Sequence, residues 1–137
     1  MPRTITISLP VEDLKASRAF YDAIGFSSRT DFADAGAALM VWSETISVIL
    51  LTHEKWRTLT ARPIPPKSCS EVGLAVSCES REQVDAMNAA AAAHGGTADI
   101  NPIEDYPSMY GRDFADPDGD VWGAKWMDVS ALPSAND

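Results

Sequence analysis

Histidine and carboxylate side chains are the first candidates for chemistry, because they bind metals and transfer protons near neutral pH. The chain has only two histidines, His53 and His94, whereas a zinc, nickel or iron site needs three or four His, Cys, Asp or Glu ligands. His94 precedes Gly95 at the end of a predicted helix, where a cation suits the helix dipole. His53 follows a predicted strand, and it is either a residue at the rim of a site or a solvated loop histidine.

The segment Tyr106–Arg112 is a second candidate, because it brings aromatic, thioether and guanidinium groups close together. Such mixtures are frequent in ligand sites, so we predict that Met109, Tyr110 and Arg112 bind a ligand. Arg112 either clamps a carboxylate of the ligand or pairs with one of the twenty acidic residues of the chain.

Four tryptophans in so short a chain suggest an aromatic cage for cationic ligands. Trp122 and Trp126 lie on the same face of a predicted strand, and we expect them to pack in the core instead. Trp42 and Trp56 are free to line the mouth of a pocket.

Composition and charge limit the classes of partner. Eleven basic and twenty acidic residues give a net charge of −9, which opposes the phosphates of nucleic acids and favours cationic over anionic small molecules. The longest apolar run, 46–51, is far too short to span a membrane, and no signal segment is visible, so we expect a cytoplasmic protein without membrane contacts. Cys69 and Cys78 then remain free thiols.

The strongest local signal for structure is Asp116-Pro117-Asp118-Gly119, a turn sequence between two strand-like runs, 109–115 and 121–127. In the first half, the alternation over 4–9 predicts a strand, and apolar residues at helical spacing predict a helix over 13–24. Three further strands are predicted at 27–32, 37–42 and 46–52.

The second half repeats this order. A predicted strand over 71–78 is followed by Ser80-x-x-Gln83, the pattern of a helix N-cap, and then by strands at 97–100, 109–115 and 121–127. At 137 residues the chain is too short for two independent domains, so we predict an α+β fold in which two βαβββ modules form a curved, mixed eight-stranded sheet with helices outside.

The module boundaries follow from the prolines between the two halves. Arg62-Pro63-Ile64-Pro65-Pro66-Lys67 cannot form a helix interior or a central strand, so we place a connector at about 53–70, with one short helix at 53–59. The first module then covers about 1–52 and the second about 71–129, within a single domain of 1–129. Residues 130–137 form a polar tail.

The order of these motifs resembles the vicinal oxygen chelate superfamily, which holds glyoxalase I, extradiol dioxygenases and bleomycin-resistance proteins. The resemblance is carried by the Asp116–Gly119 turn, by Leu9-Pro10-Val11-Glu12-Asp13-Leu14, and by Phe20-Tyr21-Asp22-Ala23-Ile24-Gly25-Phe26. The metalloenzymes of this superfamily bind one divalent ion with residues from the first and last strands of each module. The resemblance places Thr6, Leu50, Glu71 and Gly123 at those four positions, so only Glu71 offers a ligand, and we expect no metal cofactor.

The resemblance also implies a cleft on the concave face of the sheet. Alternation along the strands then predicts which positions face this cleft: Thr6 and Ser8, Val48 and Leu50, Glu71, Gly73 and Ala75, and Gly123 and Lys125. Lys125 is one candidate counter-ion for Glu71, and that pair either supports the structure or contacts a ligand.

Two functional classes and a third interpretation remain open. The first class is a metal-independent protein, like the bleomycin-resistance branch, that binds a small molecule in the cleft of a homodimer. The second is an enzyme that resembles lactoylglutathione lyase or a dioxygenase, with Glu71 as the catalytic residue, either in an atypical metal site or in acid–base chemistry with His53 or Tyr110. The third is a structural or regulatory dimer with a vestigial pocket.

Overall fold

The structure, a computed structural model, describes residues 2–29 and 35–131. A strand, a helix and three strands occur twice along the chain. The first module consists of β1 (Ile5–Val11), α1 (Leu14–Ala23), β2 (Ser27–Ser28), β3 (Ala37–Val41) and β4 (Ile46–Thr52). A short helix, α2 (His53–Leu59), and an irregular connector lead to the second module of β5 (Gly73–Cys78), α3 (Arg81–Ala93), β6 (Glu104–Tyr106), β7 (Met109–Ala115) and β8 (Val121–Met127).

The two modules have the same strand order and pairing. The first sheet runs β1-β4-β3-β2 and the second β5-β8-β7-β6, each with one parallel pair followed by antiparallel pairs. The predicted α+β class and the repeated βαβββ module are therefore confirmed. The eight strands form two separately hydrogen-bonded sheets. β1 is an edge strand of the first sheet, and β5 is an edge strand of the second.

Two predicted strand positions differ from the structure. The predicted strand over 97–100 is wrong, because only an isolated bridge joins Thr97 to Ala115. The strand is instead β6, whose acidic sequence Glu104-Asp105-Tyr106 lacks an apolar alternation. Of the predicted strand over 27–32, β2 covers two residues, while residues 30–34 and the tail residues 132–137 lie outside the described residues.

One core joins both modules. The side chains of Phe20 and Tyr21 on α1 are fully buried and reach the second sheet, with ring centroids 6.2 Å from Phe114 and 5.9 Å from Trp122 respectively. On α3, Val84, Met87 and Ala91 are buried against the same core. Both helices therefore pack on one face of the sheets through this core, and the opposite face is here called the open face.

The turn at 116–120 is the polar part of this core. Asp116 is only 3% exposed, and its Oδ2 accepts a hydrogen bond from the Tyr21 hydroxyl at 2.5 Å. Its Oδ1 accepts from the backbone amides of Asp118 and Asp120 at 3.0 and 2.8 Å. The Trp122 indole donates to the Tyr21 oxygen at 3.0 Å, so these buried groups satisfy one another.

The same turn also holds the start of α1 and the connector. Asp118 accepts hydrogen bonds from the Glu12 amide at 2.9 Å and from the Ser17 hydroxyl at 3.3 Å. Gly119 has φ +91°, and a Cβ there would lie 2.0 Å from the carbonyl oxygen of Lys67. Only glycine allows this approach of the connector backbone to the turn.

No helix within residues 2–29 and 35–131 is long and apolar enough to cross a membrane.

Replacing Tyr21 by Phe tests the buried hydrogen bonds. Tyr21→Phe removes a donor from Asp116 and an acceptor from the Trp122 indole, and it leaves buried polar groups without these partners. We expect the free energy of unfolding, measured by urea titration, to fall by about 2–4 kcal/mol. The matched control Tyr106→Phe, at an exposed position, should change it by less than about 0.5 kcal/mol. Equal stability of the two variants would contradict the proposed importance of this network.

Candidate functional site

A cavity of about 470 Å³, here called the large cavity, lies between the edge strands β1 and β5. Its volume falls within the range of small-molecule sites. Its walls come from β1, α2, the connector, the start of β5 and the 116–120 turn: Ile7, Ser8, Leu9, Pro10, Trp56, Pro65, Cys69, Ser70, Glu71, Val72, Leu74 and Asp120.

The chemistry of these walls is mainly apolar, with acidic and hydroxyl groups among the polar ones. Ser8, Ser70, Glu71 and Asp120 supply oxygen atoms, and no Lys, Arg or His belongs to the described wall. The arrangement therefore suits an apolar molecule that is neutral or positively charged.

A second, narrower cavity of about 40 Å³ lies beside the first. Its lining includes His53 and Lys67, and it shares several wall residues with the larger cavity. The Lys67 ammonium forms an exposed ion pair with Glu12 at 2.6 Å. The predicted position of His53 near the rim of a site is thus consistent with the structure, because His53 begins α2 directly after β4.

Two carboxyl groups of the turn share an unusual environment. Burial, followed by the charge of Asp116, raises the pKa of Asp120 to about 8, and burial also raises the pKa of Asp116. Asp116 accepts from Tyr21 and two backbone amides, and these hydrogen bonds favour the ionised form of Asp116 over that of Asp120. A folded-state pKa above the unfolded value of 3.8 means that Asp120 lowers stability as the pH rises from about 4 to about 8.

The predicted faces of the first module are only partly correct. Thr6 and Ser8 are exposed on the open face, and Ser8 also lines the large cavity. The prediction that Leu50 faces the cleft is wrong, because Leu50 is fully buried in the core. The parallel register pairs Thr6 with Ser47, so these two side chains share a face. Leu50 lies three residues further along β4, and residues an odd number apart on one strand point to opposite faces.

In the second module, Gly123 and Lys125 share the open face, as predicted. The suggested Lys125–Glu71 pair is wrong. The Lys125 ammonium binds Glu104 at 2.6 Å and Asp113 at 2.8 Å. A Cβ on Gly123 would lie 2.7 Å from the Lys125 side chain, so this lysine covers the glycine.

The Tyr106–Arg112 segment forms parts of β6 and β7 and their turn, and its side chains point in different directions. Met109 lies half-buried on the open face, opposite Met127. Tyr110 and Arg112 lie on the helix-covered face, where both donate to Asp85, and Arg112 also binds Asp99 through two bonds of 3.0 and 2.6 Å. These contacts favour the structural alternative for Arg112, and they engage with Asp85 the Tyr110 hydroxyl that was predicted to bind a ligand.

The aromatic predictions divide in the same way. Trp122 is buried and Trp126 packs against the core, as predicted. Trp56 lines the large cavity, whereas Trp42 packs on Phe26 with ring centroids 5.1 Å apart and is absent from the cavity walls. His94 caps the end of α3, where its Nδ1 lies 2.9 Å from the Ala90 carbonyl oxygen, as expected for a structural histidine.

The residues that the resemblance assigns to a metal do not fit one. Leu50 faces the core, Gly123 has no side chain, and Thr6 offers only a hydroxyl, so Glu71 is the single carboxylate of the four. Within residues 2–29 and 35–131, no group of three or more His, Cys, Asp or Glu side chains is arranged to hold an ion.

Several wall residues were not predicted from the sequence. Asp120 and Cys69 belong to both cavities, and Pro10 and Pro65 form shared walls. Asp120 directly follows the recognised turn, but its burial depends on α1 and the connector, which are distant in sequence. The sequence predicted the proline-rich connector only as a linker. Its backbone is long and pairs with no strand, and it can therefore fold over β1 and the turn.

Comparison with known proteins agrees with the fold. The model of the Glyoxalase/Bleomycin resistance protein/Dioxygenase superfamily matches residues 4–123. A hypothetical protein from S. aureus is 21% identical, with a TM-score of 0.76 and coverage of 93% of this chain and 95% of that one. A glyoxalase/bleomycin resistance protein from Albidiferax ferrireducens T118 is 25% identical, with a TM-score of 0.68 and coverage of 89% and 96%.

A third structure, TnmS3 from Streptomyces sp. CB03234, is described as an antibiotic binding protein. It is 24% identical over 93% of this chain and 97% of its own, with a TM-score of 0.61. None of the proteins of curated function matches this sequence.

The poor fit to a metal can be measured directly. After dialysis of the untagged protein against nickel or zinc in about tenfold excess, followed by gel filtration, we expect less than about 0.1 ion per chain by mass spectrometry of the metals. About one bound ion per chain that Glu71→Gln removes would contradict this expectation and would favour the metalloenzyme class.

Proposed function

This chain belongs to the glyoxalase/bleomycin resistance protein/dioxygenase superfamily, and on that premise we propose that it binds a neutral or cationic small molecule without a metal. The observation that carries the proposal is the large cavity between β1 and β5, whose walls are mainly apolar and whose charged groups are acidic. A fold relative described as an antibiotic binding protein is consistent with such a role but says nothing about the ligand of this chain.

The walls suggest how such a ligand would be held. Ile7, Leu9 and Leu74 offer apolar surface, and Trp56 adds an aromatic ring at the α2 side. Glu71 is exposed at the rim, where its charge would attract a cationic group but solvent would screen that attraction. Burial of apolar surface therefore supplies most of the affinity, and charge supplies selectivity.

The enzyme alternative is a lyase or dioxygenase of the glyoxalase type with an atypical site around Glu71. Its metal form conflicts with the residues at the assigned positions, as described above. Its acid–base form pairs Glu71 with His53 or Tyr110, but Tyr110 already donates to Asp85 at 2.6 Å on the helix-covered face. We therefore propose binding rather than catalysis, in the cytoplasm, where Cys69 and Cys78 remain free thiols.

We further propose that the chain is a homodimer in which the open faces contribute to a shared cleft. On the edge strand β5, Gly73, Ala75 and Ser77 are exposed on the open face, and Ile5 at the start of β1 and Val72 in the cavity wall are 62% and 60% exposed. Burial of this surface in a second copy would lower the free energy of the pair.

Two dyes with the same anilinonaphthalene skeleton test the binding proposal. N-phenyl-1-naphthylamine is neutral, whereas 1-anilinonaphthalene-8-sulfonate carries a negative charge. Because no cationic side chain belongs to the described wall and Glu71 is acidic, the neutral dye should bind at least about tenfold more tightly in fluorescence titrations. Equal or tighter binding of the sulfonate would contradict the proposal.

Two pairs of measurements act as controls for that titration. Ser8→Trp should fill the cavity and abolish the signal of the neutral dye, whereas Ala86→Trp, at an exposed position on α3 and outside the described cavity walls, should retain it. Glu71→Gln should reduce the ratio of the affinities of the two dyes by about two- to fivefold, the size of a screened charge effect.

The homodimer is tested by size-exclusion chromatography with light scattering. At low micromolar concentration we expect a mass of twice the 14.8 kDa of one chain, because the exposed apolar residues near the cavity favour association. A mass of one chain throughout a dilution series would contradict the dimer without bearing on the cavity itself.

A further inference from the structure

The edge of β1 that borders the large cavity carries backbone groups without a partner strand. β1 ends the first sheet and β5 ends the second, and no hydrogen-bonded ladder joins these two strands. An edge strand has a row of N–H and C=O groups that point away from its sheet. The cavity lies along this row, because four consecutive residues of β1 belong to its wall: Ile7, Ser8, Leu9 and Pro10.

The pairing of β1 with β4 decides which residues direct these groups toward the cavity. The Ile5 amide donates to the Thr45 carbonyl oxygen at 2.7 Å, which is on the β4 side of β1. In an extended chain the N–H and C=O of one residue point to one side, and those of the next residue point to the other. The backbone groups of Thr6, Ser8 and Pro10 therefore point away from β4.

Two further observations agree with this direction. The Glu12 amide, two residues after Pro10, donates to Asp118 of the second module at 2.9 Å. Pro10 lies inside β1, and a proline is tolerated inside a strand where its nitrogen does not face a neighbouring strand. Because Asp118 already binds the Glu12 amide, the free part of the edge ends at Pro10.

Ser8 and Pro10 thus offer one donor and two acceptors to the cavity. Ser8 has both an N–H and a C=O, whereas proline has only the C=O. Within residues 2–29 and 35–131, no other group forms a hydrogen bond with these three. A ligand that filled the apolar cavity without matching them would remove them from water unpaired, which costs more than one hydrogen bond contributes.

We infer that the ligand carries an extended secondary amide, which binds along the edge of β1 as a short added strand. One unit of the ligand, an N-acylated amino-acid amide, exchanges two hydrogen bonds with Ser8, as opposite residues do in an antiparallel pair. The Pro10 carbonyl oxygen accepts a third bond where the ligand has a further N–H. The inference rests on the proposed binding function and narrows the ligand to small molecules with this peptide-like group.

The walls fit the remainder of such a molecule. Main-chain bonds of an added strand supply affinity, and pockets for its side chains supply specificity. Ile7 and Leu9 flank Ser8, and Leu74 and Trp56 complete an apolar surroundings for one side chain of the ligand. The free edge is short and the volume is about 470 Å³, which favours a small molecule over a protein segment that passes through.

Two probes that differ in one group test the inference. N-acetylphenylalanine N-methylamide has the required N–H and C=O, whereas its ester analogue has an oxygen atom in place of the α N–H. In displacement of N-phenyl-1-naphthylamine from the wild-type protein, we expect the diamide to bind at least about fivefold more tightly, because the ester cannot donate to the Ser8 carbonyl oxygen. Equal affinities overturn the inference.

A pair of proline variants tests the edge itself. Ser8→Pro removes the N–H that points into the cavity, and Thr6→Pro removes the preceding N–H of the same edge, outside the described wall. Ser8→Pro should lower the affinity for the diamide at least about fivefold more than the affinity for the naphthylamine. Thr6→Pro should leave the ratio of the two affinities at its wild-type value. The same ratio in both variants overturns the role of Ser8.

Hydrogen exchange in the wild-type protein decides if Ser8→Pro does not fold. At saturating diamide, the exchange of the Ser8 amide hydrogen should slow by at least about fivefold, while that of the Thr6 amide stays unchanged. An unchanged rate at Ser8 overturns the inference.

The outcomes separate this inference from the proposed function. If the naphthylamine binds and the diamide does not displace it, the edge-binding inference fails and the binding proposal stands. If neither compound binds, both fail. A blocked pentapeptide with the same central phenylalanine should bind no more tightly than the diamide. Binding at least about tenfold tighter overturns the assignment to a small molecule and indicates a segment of a protein as the ligand.

Discussion

The hydrogen bond between the Tyr21 hydroxyl and the buried carboxylate of Asp116 is the contact on which the rest of the structure depends. It joins α1 of the first module to the turn between β7 and β8 of the second, 95 residues away. A carboxyl group in a core is costly unless its oxygens are hydrogen-bonded, and here three donors reach Asp116. The aromatic rings around Tyr21 exclude water from this contact, so that packing and hydrogen bonding support each other.

The geometry of the cavity follows from that contact. Once the turn is held against α1, Asp118 binds the Glu12 amide at the end of β1, and the connector packs on Gly119. The edge strands β1 and β5 are then brought close without a hydrogen-bonded ladder between them, and the cavity occupies the space between. The arrangement that stabilises the pair of modules also raises the pKa of Asp120, because it buries a second carboxyl group beside the first.

Local signals predicted the elements, and tertiary contacts decided the site. Capping residues and helical spacing predicted α1 and α3 near their observed positions, and alternation predicted β7 and β8. Alternation alone could not assign Leu50 to a face, because β4 is apolar on both sides, and the pairing of Thr6 with Ser47 is what places Leu50 on the face opposite Thr6. Asp120 resembles any turn aspartate in the sequence, since its burial arises from residues of α1 and the connector.

The central claim is that ligands bind between β1 and β5 rather than over the middle of the open face of the second sheet. Amide chemical-shift mapping of ¹⁵N-labelled protein with N-phenyl-1-naphthylamine tests this most directly. We predict that the largest shifts fall on Ser8, Leu9, Glu71, Leu74 and the Trp56 indole, which line the cavity. Shifts concentrated at Gly111, Gly123 and Lys125 on the open face of the second sheet, or no shifts at saturating dye, would contradict the account.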